Sequence, residues 1–266
     1  MSPITIDLAA ARHALRALTP RTVTLLASIP DLDVPMWGSE WTVGQAAAHV
    51  LFGAEIYAEY AQGVERPTSI DRTNVAESHR RRLAALVTLG APQMGAELHI
   101  GIDAFLHATE DRDAGDLLPW HQGRLPCATM TGLLMGEQLL HGYDIAQTLG
   151  AEWPIEPEPA RLTLQALLDV LPAFVVSETA KGVDATYELT VDGGPQVVAR
   201  FRDGALSLSA VDSEAVDCRL SGDPATWLLG LYGRAGWEQL LHSQRVTVTD
   251  GDAALGAGFK QLLRNP

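Results

Sequence analysis

Trp153-Pro154-Ile155-Glu156-Pro157-Glu158-Pro159 (WPIEPEP) carries three prolines in seven residues. Proline fixes φ and removes a backbone donor, so the stretch reads as a linker or domain seam. The hydrophobic period differs on its two sides. Before it, apolar residues recur at helical spacing. After Lys181 the period drops from 3.6 to 2. This predicts an N-terminal antiparallel helical bundle over residues 1–153 and a smaller α+β domain with an antiparallel sheet over 154–266.

Working back from the seam, a helix is expected over 128–149, with Gly150 as its C-terminal cap. Helices are also expected over 92–109, over 74–89 and from Thr42 to about Gln62, ending at Gly63. The last of these opens with T-x-x-Q (Thr42, Gln45), a capping box in which each side chain satisfies one free backbone N–H. Ile4–Ile29 has helical spacing, interrupted near Pro20. Working forward, a helix over 160–171 is ended by Pro172. Tyr187, Leu189 and Val191 then alternate with polar residues, as do Val197, Ala199 and Phe201. Asp203-Gly204 reads as a hairpin turn leading to Leu206 and Leu208. Val216, Cys218 and Leu220 form a fourth strand. Asp223-Pro224 starts a helix, cap followed by proline. A strand at 245–249 and a helix at 253–263 complete the chain.

The 266 residues hold 33 acidic and 19 basic side chains, a net charge of −14. This argues against nucleic acid as a partner, because phosphate binding needs clustered Lys and Arg. It argues equally against an anionic membrane surface. No apolar run of about 18 residues is present to span a bilayer. The start, MSPITIDL, lacks a basic opening and a hydrophobic stretch, so a cytoplasmic protein is expected. Cys127 and Cys218 form no CxxC pattern and read as small buried residues.

Candidate chemistry lies on two of the expected helices. Glu137 and His141 are i,i+4, on one helix face and about 6 Å apart along the axis. His49 is a third imidazole or carboxylate donor on another helix. Two imidazoles and a carboxylate make a borderline-soft metal site with room for water or substrate. Each element also has a plainer reading: His49 as a packed or surface histidine, and Glu137–His141 as a helix surface pair. His99, Asp103 and His107 form a rival set at i, i+4 and i+8. Its ends are about 12 Å apart along a straight helix, too far for one ion, so it reads as a polar face. His121, beside Trp120, reads as a loop histidine or a pocket-mouth residue. His13, His79 and His242 show no partner pattern. The chain has no G-x-S-x-G, Walker, Rossmann or HExxH motif.

Trp41-Thr42-Val43-Gly44 followed by His49, then Gly136-Glu137, His141-Gly142-Tyr143-Asp144-Ile145-Ala146 and Gly150, resembles the mycothiol-dependent maleylpyruvate isomerase family. The resemblance covers nearly the whole chain. It implies a DinB-like helical domain and a C-terminal domain like a sterol carrier protein. It implies a divalent metal, usually zinc, on His49, Glu137 and His141, and use of mycothiol as thiol cofactor with a small electrophilic substrate. Asp144 matches a family acidic position that would orient a ligand or the substrate; otherwise it is a solvated charge. Arg234, in LLGLYGR, matches an arginine suited to a carboxylate substrate; otherwise it is a cation favoured by a helix C-terminus. The resemblance leaves open isomerisation, S-transfer or a carrier role in which the metal is structural, and it leaves the oligomeric state undetermined.

Overall fold

The structure, a computed structural model, describes residues 4–65, 81–120, 123–211 and 215–266. It divides into two units. One is Asp7–Ile155. The other is Glu156–Pro266 together with the start of the chain. Ile4 and Ile6 are buried there, and the Thr5 carbonyl accepts from Gln165 Nε2 at 3.0 Å. Residues 4–6 therefore group with the second unit, whereas the proline-based division at 153 places them in the first.

The first unit is helical. α1 (Leu8–Ala27) starts at Asp7, whose carboxylate accepts from the Ala10 N–H. It runs unbroken through Pro20, where an interruption is expected from the sequence. The carbonyl that proline deprives of a donor is that of Arg16, and both residues are exposed to water. α2 (Val43–Ala61) opens with the full capping box: Gln45 N–H to Thr42 Oγ1 at 3.3 Å, and Thr42 N–H to Gln45 Oε1 at 2.9 Å. Residues 81–87 of the expected third helix are helical. Its earlier part, with His79, lies outside the described residues, as does His121.

α3 (Ala91–Ala108) and α4 (Cys127–Leu149) follow, and α4 ends at Gly150 in the left-handed conformation. α1 and α2 each pack against both α3 and α4. The four helices thus close a ring in which α2, with His49, borders α4, with Glu137 and His141. Small residues allow the approach: a Cβ on Gly101 would stand 3.1 Å from Ala54 Cβ, across the α2–α3 contact. A hairpin of β1 (Leu117–Trp120) and β2 (Gly123–Pro126) precedes α4. The sequence hides it, because each strand is four residues long and contains a proline.

The second unit begins with α5 (Pro157–Val170), followed by a 3-10 turn that contains Pro172. Its sheet has the order β5-β4-β3-β6-β7, with β3 Ala185–Val191, β4 Gln196–Arg202, β5 Ala205–Ala210, β6 Cys218–Gly222 and β7 Val246–Gly251. Three of its four joints are antiparallel, and β3 runs parallel to β6. Asp203 (φ 53°) and Gly204 (φ 76°) form the β4–β5 turn. Two positive φ values in a two-residue loop match the right-handed twist of the strands.

α6 (Pro224–Leu231), α7 (Trp237–His242) and α8 (Ala253–Gly258) complete the unit. Its core is aromatic. Phe259 contacts Tyr187, Phe201, Trp227 and Trp237, with ring centroids 5.0 to 6.3 Å apart. All five rings are buried. Cys127 and Cys218 are buried free thiols, and burial raises the pKa of both. No helix of the described residues is long and apolar enough to cross a membrane.

Candidate metal centre

The capping box fixes where α2 starts and hence which way His49, two turns on, faces. Val43 and Gly44 donate their N–H groups to the carbonyls of Val34 and Leu32, each at 2.9 Å. A Cβ on Gly44 would lie 2.8 Å from Leu32 Cβ and carbonyl oxygen, so glycine is needed for that loop to lie against the helix. One turn beyond His49, Gly53 leaves room for the facing carboxylate: its Cβ would be 3.7 Å from Glu137 Cγ.

Glu137 Oε2 lies 3.3 Å from His49 Nε2 and 3.5 Å from His141 Nε2. One donor atom from each residue falls within 4.8 Å of the others. With zinc–ligand bonds of about 2.0–2.1 Å, donors at tetrahedral angles stand about 3.4 Å apart. The two measured edges match that spacing, and the widest separation in the set, within 4.8 Å, closes on one divalent ion with a small shift of an imidazole. The Glu137 side chain keeps 29% of its exposure, which leaves the cluster open on one side.

Asp144, one turn beyond His141, is 7% exposed, and its Oδ2 is 3.4 Å from His141 Nδ1. A carboxylate on one ring nitrogen leaves the other, Nε2, directed at Glu137 and His49. Burial would raise the Glu137 pKa, but hydrogen bonds from His141 and His49 and their charges hold it well below the carboxylate range. Burial would lower the His141 pKa, but Asp144 and Glu137 outweigh it and push it up to about 9. Together these directions describe a pre-paired imidazolium and carboxylate whose proton an ion would displace.

The sequence reading leaves Trp41 out of the site, although it lies inside the motif. Its ring is 5.0 Å from the His49 ring and stacks on His141 at 6.2 Å with a 29° interplanar angle. Its place directly before an N-cap residue was the available signal, since that position packs back on its own helix. The rival set does not assemble. His99 and Asp103 form an exposed pair at 3.4 Å, while His107 faces Glu110 and is 86% exposed. Arg234 lies in the second unit, at the end of α6.

Comparison with known proteins matches residues 9–146 to the mycothiol maleylpyruvate isomerase N-terminal domain. The chain belongs to the mycothiol-dependent maleylpyruvate isomerase family. Residues 164–264 match the SCP-2 sterol transfer family. Among solved structures the chain is similar to the mycothiol-dependent maleylpyruvate isomerase, with 16% identity, 93% of this chain and 95% of that one covered, and a TM-score of 0.57. It is also similar to a histidine-to-alanine mutant of a mycothiol-dependent maleylpyruvate isomerase, with 15% identity, the same coverage and a TM-score of 0.52. At this identity the likeness establishes the fold. No curated protein matches the chain.

Proposed function

We propose that this member of the maleylpyruvate isomerase family is a metal-dependent enzyme that activates mycothiol for addition to a small electrophile. The observation that carries the reading is the spacing of the His49, Glu137 and His141 donors, which suits one divalent ion, with zinc the first choice for this donor set. Such an ion, when bound, deprotonates a coordinated thiol that would otherwise be largely protonated at neutral pH. Glu137 and the two imidazoles hold the ion, Asp144 fixes the tautomer of His141, and Trp41 flanks both imidazoles with an apolar face. Arg234 takes a carboxylate of the substrate through its forked guanidinium.

Addition of the thiol across a conjugated cis double bond leaves a single bond free to rotate, and elimination then returns the thiol and the trans acid. Retention of the adduct would make the same site an S-transferase. The reaction needs neither nucleic acid nor a membrane and suits the cytoplasm. The SCP-2 match supports a second reading, a carrier of an apolar ligand. The ring cluster around Phe259 occupies the centre of that domain and favours the enzyme.

The test is elemental analysis of untagged protein beside Glu137→Ala, followed by assay of the metal-loaded protein with mycothiol and maleylpyruvate. About one equivalent of metal in the wild type, lost in the variant, and turnover with thiol are expected. A metal-loaded protein that consumes no thiol with any electrophile overturns the reading.

A further inference from the structure

α4 presents Glu137, His141, Asp144 and Thr148 at i, i+4, i+7 and i+11. The stripe that carries two of the metal donors thus continues to Thr148, about 10 Å beyond His141 along the axis. The Thr148 hydroxyl has one proton, which it donates to the Asp144 carbonyl at 2.9 Å. Toward any other group it can only accept. It accepts from the Trp37 N–H at 3.1 Å.

Trp37 belongs to a tight turn that leads into α2. Pro35 and Thr42 form an antiparallel bridge at its base, and the Met36 N–H donates to the Trp41 carbonyl at 2.9 Å. Gly38 supplies the positive φ, 69°, at the tip. Ser39 Oγ accepts from the Trp41 N–H at 3.1 Å. The turn therefore meets α4 at two places: the Trp41 ring at His141 and the Trp37 N–H at Thr148. The Trp37 ring is 63% exposed, so the backbone makes the second attachment. Met36 anchors the near side of the turn by burial, whereas residues 37–40 are all exposed and gain little from packing. At the tip, the hydrogen bond to Thr148 is what holds the turn to the helix.

We propose that Thr148 is a positioning residue: by accepting the Trp37 N–H it keeps the Trp41 indole on the His49 and His141 rings. Its consequence for metal binding rests on the proposed function; its hold on Trp41 does not.

The experiment compares Thr148→Val, which keeps the shape and removes the acceptor, with Thr148→Ser, which keeps the hydroxyl, in the full chain. Nitrogen–proton NMR spectra of the metal-free proteins read the indole N–H groups, with the Trp41 signal assigned from Trp41→Phe. In Thr148→Val the Trp41 signal should move, and the Trp37 amide should exchange with solvent about tenfold faster, the loss expected for one hydrogen bond. Thr148→Ser should match the wild type. The indoles of Trp153, Trp227 and Trp237 donate to Leu139, Thr190 and Gly256, and their unmoved signals report an intact fold. If they move in Thr148→Val, Thr148→Ala takes its place. Zinc titration against a chelator should show about tenfold weaker binding in Thr148→Val, and no further loss when Thr148→Val is added to Trp41→Ala. An unmoved Trp41 signal, a Thr148→Ser protein that behaves as Thr148→Val does, or the same zinc loss in both backgrounds overturns the proposal. A wild type that binds no zinc, with a Trp41 signal that responds as stated, supports the hold of Thr148 on Trp41 and overturns the metal reading instead.

Discussion

The indole of Trp153 occupies the space that a side chain on residue 142 would need: a Cβ on Gly142 would fall 2.3 Å from Trp153 Cζ2. Trp153 Nε1 donates to the Leu139 carbonyl at 2.9 Å, and Arg21 covers the opposite ring face at 3.9 Å. The ring is thus clamped against the turn of α4 that carries His141. Gly142→Ala forces it out of place and is expected to destabilise the protein by about 1–3 kcal/mol, the usual cost of overpacking. Thermal melts beside the wild type check the stability, and metal titration should show weaker binding.

Asp144→Asn keeps the shape of the side chain and removes the charge facing His141 Nδ1. Metal affinity should fall about 10- to 100-fold, the usual effect of losing a carboxylate behind a ligating histidine. Competition with a coloured chelator measures this. An unchanged affinity would mean that Asp144 does not support the ligand.

Metal-free protein should show a pH optimum of stability set by the same cluster. The His141 pKa rises from 6.5 to about 9 on folding, so its contribution is full below about 6.5 and is lost as pH climbs through 9. The Glu137 pKa is lowered, so its contribution is full above about 4.5 and fades only under strong acid. Melting temperature in the presence of chelator should decline between about pH 6.5 and 9. His141→Ala should flatten that decline; a decline of the same steepness would assign it to other groups.

Thr42→Ala removes the side-chain acceptor for the Gln45 N–H. A loss of about 1 kcal/mol is expected from the cap alone. Because the cap also sets the rotation of α2 beneath His49, metal affinity should drop with it. Denaturant melts and metal titration of one preparation separate the two effects.

Local chemistry made much of this fold legible. Thr42 with Gln45, Asp203 with Gly204, and Asp223 with Pro224 each dictate their own backbone, and each is found as the sequence implies. Long-range pairing was not legible. The parallel joint between β3 and β6 depends on which strands meet across the sheet, and no turn residue encodes that. Helix α7 is six residues long, and the β1–β2 strands are shorter still, too brief to show a period. In the site, spacing showed Glu137 with His141, but the approach of His49 depends on α2 packing against α4. The convergence of those two helices came from the family motif and not from periodicity.

Residues 4–6 belong with the C-terminal unit, so the helical unit is inserted within it: the chain lies beside Gln165 at Thr5, leaves for about 150 residues and returns at Glu156. A protease nick within WPIEPEP therefore leaves the opening residues still lodged against the other fragment. A fragment that begins at Glu156 has the opposite defect. It lacks the Thr5 carbonyl that Gln165 donates to and the cover that Ile4 and Ile6 provide, and it must be supplied with those residues to fold as it does here.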